Sequence, residues 1–170
     1  MSKGRRKARE TAFLIIFERL FCDDSLEDII ESAKISAQGE KEDDPVLSLI
    51  INPGEFTLSI VTGTQDNLAA IDELIKDNLV KWDMNRISKV ALCLLRMAIF
   101  EMLFLDDVPV SVSINEAVEL AKKYAADDDP AFINGLLGAV SRGMGIVAYA
   151  DTADTDADTA EPDDTAKGQE

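Results

Sequence analysis

The sequence predicts an all-α fold, a bundle of about six to seven helices. Three observations predict it. Apolar residues recur at helical spacing along most of the chain. No stretch alternates apolar and polar residues with the period of two that a half-buried strand needs. Apolar residues make up 46% of the chain, enough for a core, whereas the nine Gly and five Pro fall mostly between the periodic segments. At 170 residues the chain suits one domain or two tightly packed subdomains.

The first helix is expected to start near Arg5, because Phe13, Ile16, Phe17 and Leu20 fall at i, i+3, i+4 and i+7 and build one stripe. A second, roughly Ser25–Ala37, repeats Leu26, Ile29, Ile30 and Ala33 beside acids that face water. The pattern lapses from Gln38 to Gly54, where Pro45 and Asn52-Pro53-Gly54 mark a loop with room for one helical turn over Val46–Ile51. A long helix follows from about Glu55 to Val80, with Leu58, Val61, Gln65, Leu68, Ile71 and Ile75 on its stripe. Asp83 reads as the cap of the next helix, Met84–Leu105, which is apolar nearly all round and so belongs in the middle of a bundle. Asp106-Asp107-Val108-Pro109 stops it.

Ser113-Ile114-Asn115-Glu116 has the form of a capping box, opening a helix whose stripe is Ile114, Ala117, Val118, Ala121 and Tyr124. Asp129-Pro130 supplies an N-cap and an N1 proline for the last helix, with Ile133, Leu136, Leu137 and Val140 turned inward. From about Asp151 the chain is Asp/Thr/Ala low complexity with nothing to bury, so residues 149–170 are expected to form a disordered acidic tail. Arg96, Glu101, Asn115 and Asn134 interrupt apolar helices or begin them. Buried polar groups persist only when paired, so all four are expected to hold helix ends and loops together.

The net charge of −16 is unevenly spread. Residues 21–44 carry nine acids against Lys34 and Lys41, and residues 151–170 carry eight acids against Lys167. These two blocks of −7 account for all but −2 of the total. Residues 3–9 concentrate the opposite sign in Lys3, Arg5, Arg6, Lys7 and Arg9. The molecule is therefore strongly dipolar. Positive charge at a helix start opposes the macrodipole, and that mild cost weighs towards a functional role. Arginine forks suit phosphates and stack on bases, so this run is a candidate RNA contact; a solvated arm is the alternative.

Other chemistry is missing. The chain has no His, which removes the commonest general base and metal ligand. There is no glycine-rich phosphate loop, nucleophile elbow or cysteine pair, since Cys22 and Cys93 lie far apart in unrelated contexts. Neither an enzyme nor a cofactor is expected, and a metal-dependent helical-bundle enzyme is a distant reading. No apolar stretch approaches the roughly 20 residues that cross a bilayer. Glu10 breaks the basic opening, which does not read as a signal peptide, so a cytoplasmic location is expected.

Three stretches together resemble the NusB family of bacterial transcription antitermination factors. They are Arg5-Arg6-Lys7-Ala8-Arg9-Glu10-Thr11-Ala12; Leu94-Leu95-Arg96-Met97-Ala98-Ile99-Phe100-Glu101-Met102-Leu103 with Asp107-Val108-Pro109; and Ser113-Ile114-Asn115-Glu116-Ala117-Val118-Glu119-Leu120-Ala121-Lys122-Lys123-Tyr124 with Phe132-Ile133-Asn134-Gly135-Leu136-Leu137. The last run is the specific one, and the likeness spans about residues 4–145. It implies a helical RNA-binding domain over residues 1–148, built from two packed subdomains at about 4–80 and 81–148. It also implies binding of boxA-type single-stranded RNA in ribosomal RNA leaders together with ribosomal protein NusE. That complex joins other Nus factors on RNA polymerase and suppresses termination. Some members homodimerise over the surface that otherwise receives RNA, so monomer and homodimer both stay open.

The resemblance places aromatics near RNA at Phe17 and Phe132, where stacking contributes roughly 1–3 kcal/mol per base. Phe17 also lies on the apolar stripe, and core packing is an equal alternative. Asp128 could accept from a base edge or simply cap the last helix. The rival function is a NusB-like protein–protein adaptor with weak or lost RNA binding, which the net acidity favours and the intact basic run opposes. An RNA methyltransferase with such a domain would need a cofactor domain after it, for which 170 residues leave no room.

Overall fold

Local caps start several of the helices. Ser25 and Asp28 close a reciprocal box, each side chain accepting from the other's backbone N–H at 3.1 and 3.2 Å, and helix α2 (Leu26–Gly39) runs on from it. The computed structural model describes residues 3–22, 24–39, 50–79 and 83–145. Besides α2 these form α1 (Lys3–Glu18), α3 (Glu55–Asp66), α4 (Leu68–Asn78), a 3-10 turn (Met84–Arg86), α5 (Lys89–Phe104), α6 (Val110–Tyr124) and α7 (Asp129–Gly143). No strand occurs among the described residues. The expected tail at 149–170 and most of the acidic 38–48 segment lie outside them.

Helix α5 is the axis of the molecule and packs against α1, α3, α4, α6 and α7. Its buried residues run round the whole helix, from Ala91 and Cys93 to Glu101 and Met102. Leu94, Leu95 and Ile99 are each fully buried, and such burial contributes about 1.5–3 kcal/mol per side chain. Around α5, the pairs α1 with α3, α6 with α7, and α4 with α7 close the bundle. Helix α3 crosses α5 at Gly63, where a Cβ would fall 2.1 Å from the Phe100 ring, so only glycine fits that contact.

Three expectations are corrected. The long helix breaks at Asn67, whose φ of −107° and ψ of 13° leave the helical well. Its backbone N–H and side-chain amide both bond Gly63 O, ending α3 so that α4 can turn towards α7. The stripe shifts with it: Thr57, Ile60, Val61, Thr64, Ile71 and Ile75 are buried, whereas Gln65 is exposed. Asp83 caps only the 3-10 turn, through Asn85 N–H at 3.0 Å; Ser88 caps α5 through Ala91 N–H at 3.0 Å. The third correction concerns Ser113 and Glu116, which cap nothing. Helix α6 starts earlier, behind Pro109, so both residues lie inside it and are buried against other helices.

Candidate nucleic-acid interface

The basic opening folds into the first two turns of α1, which lie over α3, α5 and the start of α6. That packing treats its arginines unequally. Arg9 is 1% exposed. Its Nε donates to both Glu101 oxygens at 2.9 Å and its Nη2 to Oε2 at 2.8 Å, while the Ser113 hydroxyl donates to the same carboxylate. Glu101 is equally buried. Arg9 is therefore a core ion pair joining α1, α5 and α6, and the expectation that it contacts RNA is corrected: a guanidinium sealed from solvent cannot reach a phosphate.

Arg6 keeps its head in water. Its side chain is 59% exposed, yet its Nε and Nη2 donate at 3.1 and 3.0 Å to Glu116, whose carboxylate is 3% exposed. The hydrogen bonds that Arg6 donates to Glu116, more than the charge of Glu116, raise the Arg6 pKa. Arg5 pairs with Asp107, and its guanidinium lies 4.9 Å from the Phe56 ring centre, with Arg9 at 5.2 Å from the same ring. Lys7 is exposed, and among the described residues no carboxylate pairs with it. Lys3 opens α1, but its side chain is not among those described.

Helix α6 links this end to the aromatics. Glu10 accepts from Lys123 and from the Tyr124 hydroxyl. Burial pushes the Glu10 carboxyl up, but those two hydrogen bonds together with the charges of Lys123 and Lys7 outweigh it and hold it below its ordinary value. Burial, then the bond to Glu10, raises the Tyr124 hydroxyl. Tyr124 packs on Phe13 with ring centres 5.0 Å apart, and Phe13, Phe17 and Phe21 form a ladder along α1 at 5.8 and 5.1 Å. Phe17 is half-buried against the core, and Phe21 is 63% exposed. Phe132, half-buried on α7, also packs on the core. Asp128 is exposed at the start of α7 and makes no side-chain cap.

Of the four polar residues expected to be structural, Arg96 is held by Asp72 through two bonds of 2.8 Å, and Glu101 by Arg9. Asn115 and Asn134 are exposed, which corrects that reading for them. The sequence reading missed Phe56, Asp107, Glu116 as an arginine anchor, and Lys123. Cys93 is sealed in the core, where burial pushes its thiol up to about 12, so it is chemically inert. No metal-binding cluster of carboxylates and cysteines occurs among the described residues, and no helix among them is long and apolar enough to cross a membrane.

The helical arrangement is similar to that of solved NusB structures. It superposes on NusB of T. maritima with a TM-score of 0.61 over 84% of this chain and 93% of that one, at 32% identity. A structure of the antitermination factors NusB and NusE in complex with dsRNA gives 0.65 over 84% and 99%, at 23% identity, a likeness of fold. The transcription antitermination protein NusB of Clostridium novyi is 41% identical over 135 residues, 79% of this chain and 96% of that protein. Residues 6–142 match the model of the NusB family. The chain belongs to the NusB family, a family of transcription antitermination factors and not of enzymes.

Proposed function

We propose that this chain is an RNA-binding transcription antitermination factor that engages boxA-type RNA of ribosomal RNA leaders jointly with ribosomal protein NusE, in the cytoplasm. The observation that carries this reading is the rim of α1. Glu116 and Asp107 take one edge of the Arg6 and Arg5 guanidiniums, and both arginine side chains stay about half exposed beside the exposed Lys7. An arginine anchored on one edge has lost rotamer freedom before any phosphate arrives, which lowers the entropic cost of binding. The likeness to a NusB–NusE complex with RNA supports both partners. In this reading Lys3, Arg5, Arg6 and Lys7 contact phosphate, Phe17 and Phe132 offer stacking faces and Asp128 a base-edge acceptor. Arg9 drops out. The helices divide into subdomains at about 4–80 and 81–148, and the complex docks with other Nus factors on RNA polymerase.

Titration of boxA-type RNA with and without NusE, at two salt concentrations, tests the reading. Binding should be tighter with NusE and should weaken as salt rises, because phosphate contacts release counterions. Salt-independent or absent binding in both arms would sink it. The second reading, a protein–protein adaptor that no longer holds RNA, is favoured by one observation: Arg5, Arg6 and Arg9 all have carboxylate partners within the chain. NusE binding without RNA binding would select it.

A further inference from the structure

At the far end of α1, about 20 Å from Arg6 at 1.5 Å per residue, a cleft of about 150 Å³ opens between four helices. Ile16, Leu20, Val61 and Leu68 form its apolar wall; Arg19, Arg96, Thr64 and Gln65 supply its polar groups. Two guanidiniums thus share one small space. Arg96 has its counter-charge in Asp72, bound through Nε and Nη2, which leaves its Nη1 uncommitted to that carboxylate. Arg19 is half-buried, and among the described residues no carboxylate pairs with it, although the chain holds 33 acids. Thr64 is 2% exposed, and among the described residues no group shares a hydrogen bond with its hydroxyl. A buried, unpaired hydroxyl is costly and uncommon, so it marks a group awaiting a partner.

We propose that this cleft binds a carboxylate carried on a short aliphatic stem, with Arg19 as its counter-charge and Arg96 and Thr64 as supporting donors. Guanidinium forks match the planar geometry of a carboxylate. The apolar wall suits a stem of one or two methylenes and suits a phosphate poorly. The volume is well under the roughly 300 Å³ at which pockets for larger ligands begin, which excludes a nucleotide. A free short-chain acid and an acidic protein side chain share this chemistry.

The test is an NMR titration of the full ¹⁵N-labelled chain with propionate, and with propionamide as the neutral isostere, at fixed ionic strength. Propionate should shift the Thr64 and Leu68 amides and the Arg19 Nε–H to saturation, and propionamide should not. Arg19→Gln and Thr64→Val should each weaken propionate by about tenfold, the worth of one charge-assisted or buried hydrogen bond. Thr64→Val keeps side-chain size and Arg19→Gln shortens the side chain, and a cooperative thermal transition above the titration temperature confirms that each variant is folded. An acetylated, amidated Ala-Glu-Ala peptide decides the source: tighter binding than propionate assigns a protein side chain, equal binding a free acid. Equal shifts with propionamide, wild-type affinity in both variants, or displacement of propionate by single-stranded RNA would each overturn the proposal.

Discussion

Arg6 and Arg9 sit one turn apart on α1, each held by a buried glutamate, and they belong to different worlds. Arg9 and Glu101 are both 1% exposed, and the pair is a structural rivet. At Arg6 only the glutamate is buried, and the arginine presents its charge to solvent. On the proposed reading, a carboxylate partner does not by itself retire an arginine from function. What decides is whether the guanidinium keeps an open edge. The rivet is also imperfect, since Arg9 Nη1 is buried without a partner. A half-satisfied buried ion pair fixes geometry more than it adds stability.

That contrast can be broken from either side. Arg9→Ala leaves Glu101 sealed without its partner, and should cost about 3–5 kcal/mol in a urea titration. A loss below about 1 kcal/mol would place Arg9 at the surface with Arg6. Replacing both partners, Arg9→Met with Glu101→Leu, should recover most of that loss. Leu94→Ala, an apolar deletion in the same core, should cost about 2–5 kcal/mol and calibrates the rivet against ordinary packing. Arg6→Ala strips the buried Glu116 of its partner and should lower the thermal midpoint, though less than Arg9→Ala because that site opens to solvent, and it should lower the salt slope of single-strand binding by about 0.7, one phosphate contact. An unaltered slope would make Arg6 a second rivet.

The smallest effect concerns Glu10, a carboxyl held below its usual 4.5. Such a group contributes stability above its unfolded pKa, and the contribution is lost as pH falls through the folded value. The stability difference between wild type and Glu10→Gln should therefore be full above pH 4.5 and shrink below it. A difference independent of pH would mean that the contact with Lys123 and Tyr124 is not electrostatic.

Periodicity located α1, α2, α5, α6 and α7, and the buried apolar residues of α7 are those read from the sequence. It failed where distant contacts outweigh local signals. Ser113 and Glu116 have capping-box spacing, but i and i+3 also share a helix face, and here that face meets Glu101 and Arg6. Pro109, compatible with a helix start, was the better marker. Asn67 breaks a helix without Gly or Pro because α3 must lie flush on Phe100 while α4 packs on α7. The fate of Arg9 was readable: it falls at i, i+3, i+4 and i+7 with Ala12, Phe13 and Ile16, all buried. An arginine in phase with a core stripe, in a chain whose most apolar helix carries one glutamate, calls for a pairing across the core.

The three arginine pairs also impose a timetable on synthesis. Arg9 is made 92 residues before Glu101, Arg5 102 before Asp107, and Arg6 110 before Glu116. The basic helix emerges before these partners, and its arginines can be neutralised or oriented by them only when the fifth and sixth helices follow. Until then all of its positive charge is open to any polyanion nearby, so the finished fold marks the moment when a broadly sticky segment becomes a defined surface.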